Sequence, residues 1–520
     1  MQQIAIEEDP KNKSSKGCFS AVKGYWRTFT EYSGESTIHS VNYIGKRDAH
    51  WGTRLFWIFC FVVSLSVCIY LGTQTYIRWK NNPVIMAIDQ VQTHVSDIPF
   101  PAVTLCASNE KIDEEKFNLP DIVQRYANNE TLTRQEEAMI MLLDDIKNEW
   151  TINAVDDDLE IYDPKYNLTS KDYIDNLNNI TREFITSLTY RKVEKNGSEV
   201  FRRTIFEENL CFTYNMIEDD DMFTENIAKT LINHGEYDSQ YVPKSGEEYL
   251  QRVKSARITQ SINIRIALDN TDNLANMTSI FMIIHSPYNY PKYSLDYIPI
   301  KLGAINKVLI TPQIIQTDEE LIKYKPKVRE CIFGYKTKLE FFKNYTQSNC
   351  ELECETHYLL QKCSCVLFHM LHNESTRICQ TEDEIDCADN ATDLFHYTER
   401  RLKRCKCLPH CNEITYSMSM THYEGLVTRD VSYDSLIILG YRTDRFVAMK
   451  RQEVFGLVEF LSSIGGFLGL LMGGSLLSLI EIFYYFFMRK CCKEKDDDQE
   501  ETRLDNVENG AADNGAFNRN

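Results

Sequence analysis

The chain has 520 residues, 43% of them apolar and 26% charged, a length that allows about three domains and a composition that does not by itself mark a membrane protein. Its 57 Lys and Arg against 76 Asp and Glu leave a net charge of −19, which excludes nucleic acid as a partner because phosphate backbones need clustered positive charge. Of 17 cysteines, 12 lie between Cys106 and Cys411, an unusual load for a reducing compartment.

Residues 1–54 are polar and charged and hold no signal-peptide core. Leu55 to Ile77 then gives 23 residues without a charge, bounded by Arg54 and Arg78, where about 20 suffice to cross a bilayer. Near the other end Phe460 to Ile480 is uncharged for 21 residues and continues to Met488, with Glu459 and Glu481 as its only charges before Arg489. Buried core helices rarely stay uncharged for so long, so two membrane spans are expected, at 55–77 and 454–488. Lys46, Arg47 and Arg54 precede the first span, and Arg489, Lys490, Lys493 and Lys495 follow the second. That pattern puts both termini in the cytoplasm of a plasma-membrane protein and residues 78–453 outside.

Two counts agree with this topology. Eight sequons, at Asn129, Asn167, Asn179, Asn196, Asn276, Asn344, Asn373 and Asn390, fall in the external segment, and one, at Asn12, does not. The 12 external cysteines form an even set, as a fully paired disulfide framework requires, with Cys18, Cys60, Cys68, Cys491 and Cys492 outside it.

Within the external segment Asp113 to Asn179 has loosely helical spacing, and Glu247 to Ser255 looks similar. Strand alternation marks Ile262, Ile264, Ile266 and Leu268, then Ile414, Tyr416, Met418 and Met420; Ile280 to Ile284 and Val308 to Ile310 read as buried strands. The expected class is α+β, a sheet core with helices around it. Ten cysteines crowd into 331–411, a stretch with little continuous apolar sequence, so its shape should depend on cross-links. Zinc is the competing reading of the Cys-x-Cys and Cys-x3-Cys spacings, disfavoured because external thiols oxidise. Residues 489–520 have too little apolar content to fold and read as a disordered cytoplasmic tail.

In the second span five of the ten residues from Gly465 to Gly474 are glycine, and Gly465, Gly469 and Gly473 share a helix face. Taken alone this is a close helix-packing face. Glu459 and Glu481, however, bracket it, and intramembrane carboxylates are costly unless they face water or a partner. Gly473-Gly474-Ser475 also offers backbone that can turn carbonyls toward an ion, tolerated at membrane depth only along a cavity. Two spans cannot enclose a pore, so conduction requires an oligomer in which each glutamate becomes a cation-attracting ring.

Several motifs in order then carry a resemblance: Ser36-Thr37-Ile38-His39, Arg54-Leu55-Phe56-Trp57, Phe100-Pro101-Ala102-Val103-Thr104-Leu105-Cys106, Cys211-Phe212-Thr213-Tyr214-Asn215, the ten-cysteine block, Leu461-Ser462-Ser463-Ile464-Gly465-Gly466, Gly473-Gly474-Ser475 and Leu477-Ser478-Leu479-Ile480-Glu481. Over nearly its whole length the chain resembles the degenerin/epithelial sodium channel superfamily, and within it the insect pickpocket branch. The resemblance implies a homo- or heterotrimer of related subunits in the lipid bilayer. Each would have a hand-like external domain, with a β-sheet palm, a helical finger and a thumb at 331–411. It implies a voltage-independent, amiloride-sensitive sodium channel, gated by an unidentified extracellular ligand or mechanical partner and needing no cofactor beyond the permeant Na⁺.

Gly473, Gly474 and Ser475 match the family's filter, Ser462 falls at or next to the position where larger residues hold degenerins open, and Ser463, Gly465 and Gly466 follow it. By analogy the disulfides are Cys106–Cys211, Cys331–Cys411, Cys350–Cys407, Cys354–Cys405, Cys363–Cys387 and Cys365–Cys379. There are departures from the family pattern. His39 is followed by Ser40 where the family has glycine, and Ser40 lacks glycine's access to positive φ. Ser463 replaces an acidic residue of acid-sensing relatives, leaving Glu459 as the nearest carboxylate.

Other features have a bland and a sharp reading. The acids Glu218 to Asp221 read as a solvated loop before a calcium or proton site, and His94, His285, His357, His369, His372, His410 and His422 as structural or surface residues before pH sensors. Cys491-Cys492 is open to palmitoylation. An enzyme is disfavoured because no phosphate-binding, G-x-S-x-G or H-E-x-x-H motif occurs in 78–453. An ATP-gated trimeric channel should lack the Phe100–Cys106 and 473–475 motifs. A non-conducting or auxiliary receptor subunit that needs a partner stays open.

Overall fold

The computed structural model describes residues 28–46, 49–81, 84–108, 118–128, 130–147, 164–181, 183–207, 209–232, 250–267, 279–292, 297–396, 404–423 and 435–488. In chain order the elements begin with α1 (28–35), α2 (Val41–Gly45) and α3 (Trp51–Asn81). Strands β1 (Val84–His94) and β2 (Ala102–Ser108) lead to three helices, α4 (Leu119–Ala127), α5 (Arg134–Lys147) and α6 (Ser170–Ile180). Strands β3 (Ile185–Tyr190), β4 (Val193–Asn196), β5 (Arg202–Phe206), β6 (Asn209–Tyr214), β7 (Ile262–Ile266), β8 (Ser279–His285), β9 (Ile298–Ile300) and β10 (Ile305–Thr317) follow. Then come α7 (Gln347–Cys363), α8 (Glu382–His396), β11 (Glu413–Tyr423), β12 (Ser435–Tyr441) and β13 (Arg445–Glu453), and finally α9 (Leu457–Met472) and α10 (Leu476–Phe483).

The chain divides into two compact units, Met1–Ile85 with Glu453–Asn520, and Met86–Gln452. The second is an α+β unit with two sheets. One has the order β1-β13-β10-β12-β7-β3-β4, with β11 also on β10; the other has the order β5-β6-β2-β8-β9. The long strand β10 organises the first sheet, antiparallel to β11 (Ile310 opposite Met418), parallel to β12 over its first half (Ile310 opposite Tyr441) and to β13 over its second (Ile315 opposite Met449). Its alternate residues Val308 and Ile310 are fully buried, as period-2 alternation requires of a strand with one face inward. Both sheets feed one apolar core, Ile262, Ile264, Ile310 and Ile437 from the first and Val103, Leu105, Ile280 and Met282 from the second. Every alternating run read from the sequence lies in a strand, except Leu268, which lies outside the described residues.

The two motifs around Cys106 and Cys211 meet here. β2 pairs with β6 (Val103 opposite Tyr214), and the Cys106–Cys211 disulfide joins them. Asn215 takes a left-handed φ of 61° and ties three segments, its amide donating to the Phe100 carbonyl and its Oδ1 accepting from the Gln251 N–H at 2.7 Å. Helix was expected for Glu247 to Ser255, but its described part, 250–255, is not helical. Its backbone is committed elsewhere: Gln251 receives Phe100 N–H at 2.7 Å and gives its own N–H to Asn215.

A second core gathers α5, α6 and the 216–231 segment around Phe342 and Phe368. The cysteine-rich stretch lends Phe341, Phe342, Val366, Phe368, Leu371 and Ile378 to that core and has a small third one of its own around Leu359, Ala388 and Phe395. There α7 buries Glu351 and Glu355 on one side and Glu353 on the other. Each has a partner: Lys292 for Glu351, the Glu340 and Phe341 N–H groups at 2.8 and 2.9 Å for Glu353, and His396 Nε2 at 3.1 Å for Glu355. The disulfides Cys331–Cys411, Cys350–Cys407, Cys354–Cys405, Cys363–Cys387 and Cys365–Cys379 close this region, so the thiols that zinc would need are consumed.

Candidate functional site: a broken apolar helix and the segment that docks on it

Helix α3 is long and apolar enough to cross a membrane over Trp51–Lys80. In the same unit α9 packs along it through aromatic rings, Phe460 stacking on Trp79 at 5.0 Å and meeting Tyr76 at 6.4 Å. Gly72 admits the Ile464 side chain, where a Cβ would stand 3.4 Å from Ile464 Cδ1. Helical periodicity then turns Glu459, Ser462, Gly465, Gly466 and Gly469 to the opposite, exposed side, with Ser463 at its margin. Apart from the backbone of α9 itself, nothing among the described residues lies within 4 Å of where a Cβ would stand on Gly465 or Gly466, so these glycines do not serve packing on α3. Glu459 sits in the first turn of α9, where a carboxylate suits the positive end of the helix dipole. A Cβ on Gly456 would lie 2.8 Å from a Glu459 oxygen and 3.4 Å from one of Glu453, so two acids share that entrance. Glu453 was not singled out in the sequence; its glutamate-x5-glutamate spacing across Gly456 is the signal.

Run length alone suggests a continuous second span, but the helix breaks at Gly473-Gly474-Ser475, and its halves, Leu457–Met472 and Leu476–Met488, are bent by 74°. Among the described residues one helix is thus long and apolar enough to span by itself, and two if the bent pair counts as one. The cause of the break is local. Gly473 adopts φ 65°, and the Gly473 and Gly474 N–H groups turn back to the Gly469 and Leu468 carbonyls at 3.0 and 3.1 Å, a left-handed helix stop that only glycine enters without strain. Ser475 then caps α10, its Oγ accepting from Ser478 N–H at 3.3 Å while Ser478 Oγ accepts from Ser475 N–H at 3.1 Å. The negative end of one helix dipole and the positive end of the next meet at this break.

The N-terminal segment docks on it. His39 N–H donates to the Met472 carbonyl at 2.8 Å, one of the helix-end acceptors that α9 cannot satisfy itself. The His39 ring lies over Gly473, where a Cβ would fall 2.7 Å from it. Thr37 Oγ1 is 2.7 Å from Ser478 Oγ and donates to Glu481 Oε2 at 3.2 Å. Further along, Tyr485 O–H donates to Glu35, and the Tyr32 ring meets Tyr485 and Phe486 at 5.6 and 6.0 Å. Ser40, which was expected to lack positive φ, takes φ 73° and ψ −35° all the same, at 8% exposure. That conformation lies outside the regions open to L residues and costs of order 1–3 kcal/mol. Thr37 was read only as part of a motif, and nothing in its spacing shows that it reaches a residue more than 400 positions away.

In the other unit the acidic run 218–221 is not a plain loop, since Asp219–Met222 forms a short helical turn. Arg202 pairs with Asp219 at 3.0 Å and reaches Glu218 at 3.8 Å. Burial raises the Asp219 pKa against that guanidinium. His285 is pushed down to about 4 by burial, as is His369. His372 is lowered for the same reason, with Nδ1 on the Met370 carbonyl and Nε2 on Ser170 Oγ at 2.8 Å. Of the sequon asparagines Asn167, Asn179, Asn196, Asn344 and Asn390 are exposed and Asn373 is half-buried; Asn129 and Asn276 lie outside the described residues, as do Cys491 and Cys492.

The family model described as "amiloride-sensitive sodium channel" matches residues 32–485. Pickpocket protein 28 of Drosophila melanogaster is 24% identical over 512 residues, covering 92% of this chain and 81% of that protein. Acid-sensing ion channel 1 of Gallus gallus is 21% identical over 482 residues, 87% of this chain and 82% of that protein. Among solved structures a proton-activated chloride channel covers 84% of this chain and 96% of its own at 5% identity, with a TM-score of 0.27, too loose a superposition to bear on the fold. These relatives are ion channels and not enzymes, and the chain belongs to the amiloride-sensitive sodium channel family, as a channel subunit of the degenerin/epithelial sodium channel superfamily near its pickpocket branch.

Proposed function

We propose that three copies of this chain, or this chain with related subunits, form a voltage-independent, sodium-selective, amiloride-sensitive channel in the plasma membrane. α3 and the bent α9–α10 pair each cross the bilayer, both termini are cytoplasmic, and residues 78–453 lie outside and receive the stimulus. Ions pass along α9, between the exposed sides that carry Glu459, Ser462, Gly465 and Gly466, and are selected at Gly473, Gly474 and Ser475. Glu459 and Glu481 supply carboxylate rings at either end.

The observation that carries this reading is the break at 473–475. A glycine-forced interruption in an otherwise apolar helix leaves helix-end backbone that is tolerated within a bilayer only where it lines a cavity or meets protein. The side of α9 that carries Gly465 and Gly466 meanwhile meets no other element among the described residues, as a surface reserved for a shared axis would.

A second reading, a subunit that conducts only beside a partner, draws on Ser40, whose strained backbone sits next to the docked His39. Two-electrode recording of the chain alone decides between them, with wild type, Ser462→Phe and Ser462→Phe with Ser40→Gly compared under exchange of sodium, potassium and a bulky organic cation. Constitutive, amiloride-blocked current reversing near the sodium potential is expected for Ser462→Phe, and more of it with Ser40→Gly. Surface protein without current in any of the three rejects the homomeric channel and leaves the partner-dependent subunit.

A further inference from the structure

Between Glu320 and Glu330 every charged residue is basic, Lys323, Lys325, Lys327 and Arg329, in a chain whose net charge is −19. The three lysines are exposed, and interleaved with them are Ile322 and Val328, apolar yet 36% and 38% exposed. Arg329 does the opposite. At 2% exposure its Nε donates to the Cys331 carbonyl at 2.9 Å, its Nη1 to the Tyr324 and Ile322 carbonyls at 2.9 and 3.4 Å, and its guanidinium lies over the Phe333 ring at 4.8 Å. A guanidinium is costly to bury, and the three bonds that compensate it all fix the shape of this one loop. Phe333 in turn meets Tyr335 at 5.9 Å, a ring left 70% exposed with Lys336 Nζ 5.8 Å above it.

The loop is attached at the end of its sheet from which the chain leaves for α9. Thr317, the last residue of β10, stands opposite Arg451 on β13; Asp318 N–H donates to the Arg451 carbonyl at 3.0 Å, and its carboxylate pairs with Lys450 at 2.7 Å. Leu457, where α9 begins, follows Arg451 by six residues, a tether of at most about 20 Å. We propose that residues 322–328 rest on the outer leaflet of the membrane, with Ile322 and Val328 entering the boundary between headgroups and acyl chains and Lys323, Lys325 and Lys327 meeting lipid phosphates. Lysine stems lie along apolar surface while their ammonium groups stay at the phosphates, and a tyrosine such as Tyr335 suits the same depth. A soluble polyanion would match the lysines but would leave Ile322 and Val328 in water. The cysteine-rich region, which opens at Cys331, thereby stands on lipid at its base.

The inference rests on the membrane topology proposed above, and its test tells the two apart. The full chain, with Cys18, Cys60, Cys68, Cys491 and Cys492 replaced by alanine so that only the bridged cysteines remain, receives one fluorescent thiol label, at Val328→Cys, Val193→Cys or Leu65→Cys. Each is reconstituted in phosphatidylcholine vesicles containing a lipid with a nitroxide on its headgroup or, separately, midway along its acyl chain. The headgroup nitroxide should remove most of the fluorescence at 328 and leave that at 193, on the exposed strand β4, unchanged. The acyl nitroxide should quench the label at 65, near the middle of α3. Lys323→Gln, Lys325→Gln and Lys327→Gln together should weaken the quenching at 328. Quenching at 328 no stronger than at 193, with 65 still quenched, overturns the inference and leaves the spans standing. Absence of quenching at both 65 and 328 overturns the spans and the inference with them. Quenching at 328 that the triple substitution leaves unchanged overturns the contact with phosphates. A label at 328 that ignores the lipid nitroxide but shifts its emission when heparin is added assigns the loop to a soluble polyanion and overturns the lipid contact.

Discussion

Two neighbouring regions of the unit Met86–Gln452 are held together by different means. The paired sheets bury a continuous set of branched side chains, Ile262, Ile264, Val308, Ile310, Ile437 and Leu439 among them, all at 0% exposure. Cross-linking there is confined to Cys106–Cys211. The stretch 331–411 sends Phe341, Phe342, Phe368 and Leu371 into the neighbouring core, has only a small apolar cluster of its own, and adds five disulfides and three buried glutamates on one helix. Where alternation supplies enough apolar area the hydrophobic effect closes the structure, and where it does not, chain entropy must be removed covalently. The buried glutamates fit this contrast. Each satisfies a specific donor, which fixes geometry without adding to net burial.

The sharpest way to break the comparison is to remove cross-links in parallel. Cys350–Cys407 and Cys354–Cys405 join almost the same two segments, across 57 and 51 residues. With either present, the other closes only a short loop, so each single Cys→Ser pair should cost about 2 kcal/mol and the two together about 6 kcal/mol. The check is the denaturation midpoint of the full chain in detergent; equal, additive losses would mean that the two bonds do not restrain a common loop. Next comes the apolar side. Ile310→Ala, at the centre of β10, should cost about 4 kcal/mol in the same assay while every disulfide remains intact. A loss below 1 kcal/mol would deny the sheets their role.

The third test reaches both regions, because each contains a histidine that the fold keeps neutral. His285 on β8 accepts or donates at Thr104 Oγ1 (2.9 Å), and His369 lies between Cys365 and Cys379 with Nδ1 lacking a hydrogen-bond partner among the described residues. Burial holds both near 4, below the ordinary 6.5, so between those values the unfolded chain binds more protons than the folded one. Stability from these groups is complete above about pH 6.5, falls as pH drops toward 4 and declines no further below it. Each group accounts for about 3 kcal/mol across that window. His369→Gln should remove one share of the slope in midpoint against pH, and an unchanged profile would contradict its burial.

How much of this could be read beforehand follows from the range of the signals. Alternation at Ile262 to Ile266 and the uncharged run at 55–77 are local, and both appear as a strand and a helix in the structure. The even cysteine count pointed to bridges, but spacing alone could not choose partners, and only the nested order borrowed from the resemblance supplied them. Glu353 could not be foreseen as buried, since its donors come from Glu340 and Phe341, outside its own helix. At the candidate pore Gly473-Gly474-Ser475 was legible because glycine marks backbone directly. Thr37 was not, since a hydroxyl has no preference for a partner until the chain returns. The segment 250–255 shows the opposite failure, a helical composition overridden by crosswise hydrogen bonds to Phe100 and Asn215.

The ring of His39 over Gly473 has a consequence for how such a chain can change by descent. Position 473 is closed to other residues twice over, by its left-handed backbone and by an imidazole standing where any Cβ would go. A lineage that replaced this glycine would have to give up the turn and the histidine together. Two codons more than 400 positions apart are therefore tied in one direction: a change at 473 requires one at 39.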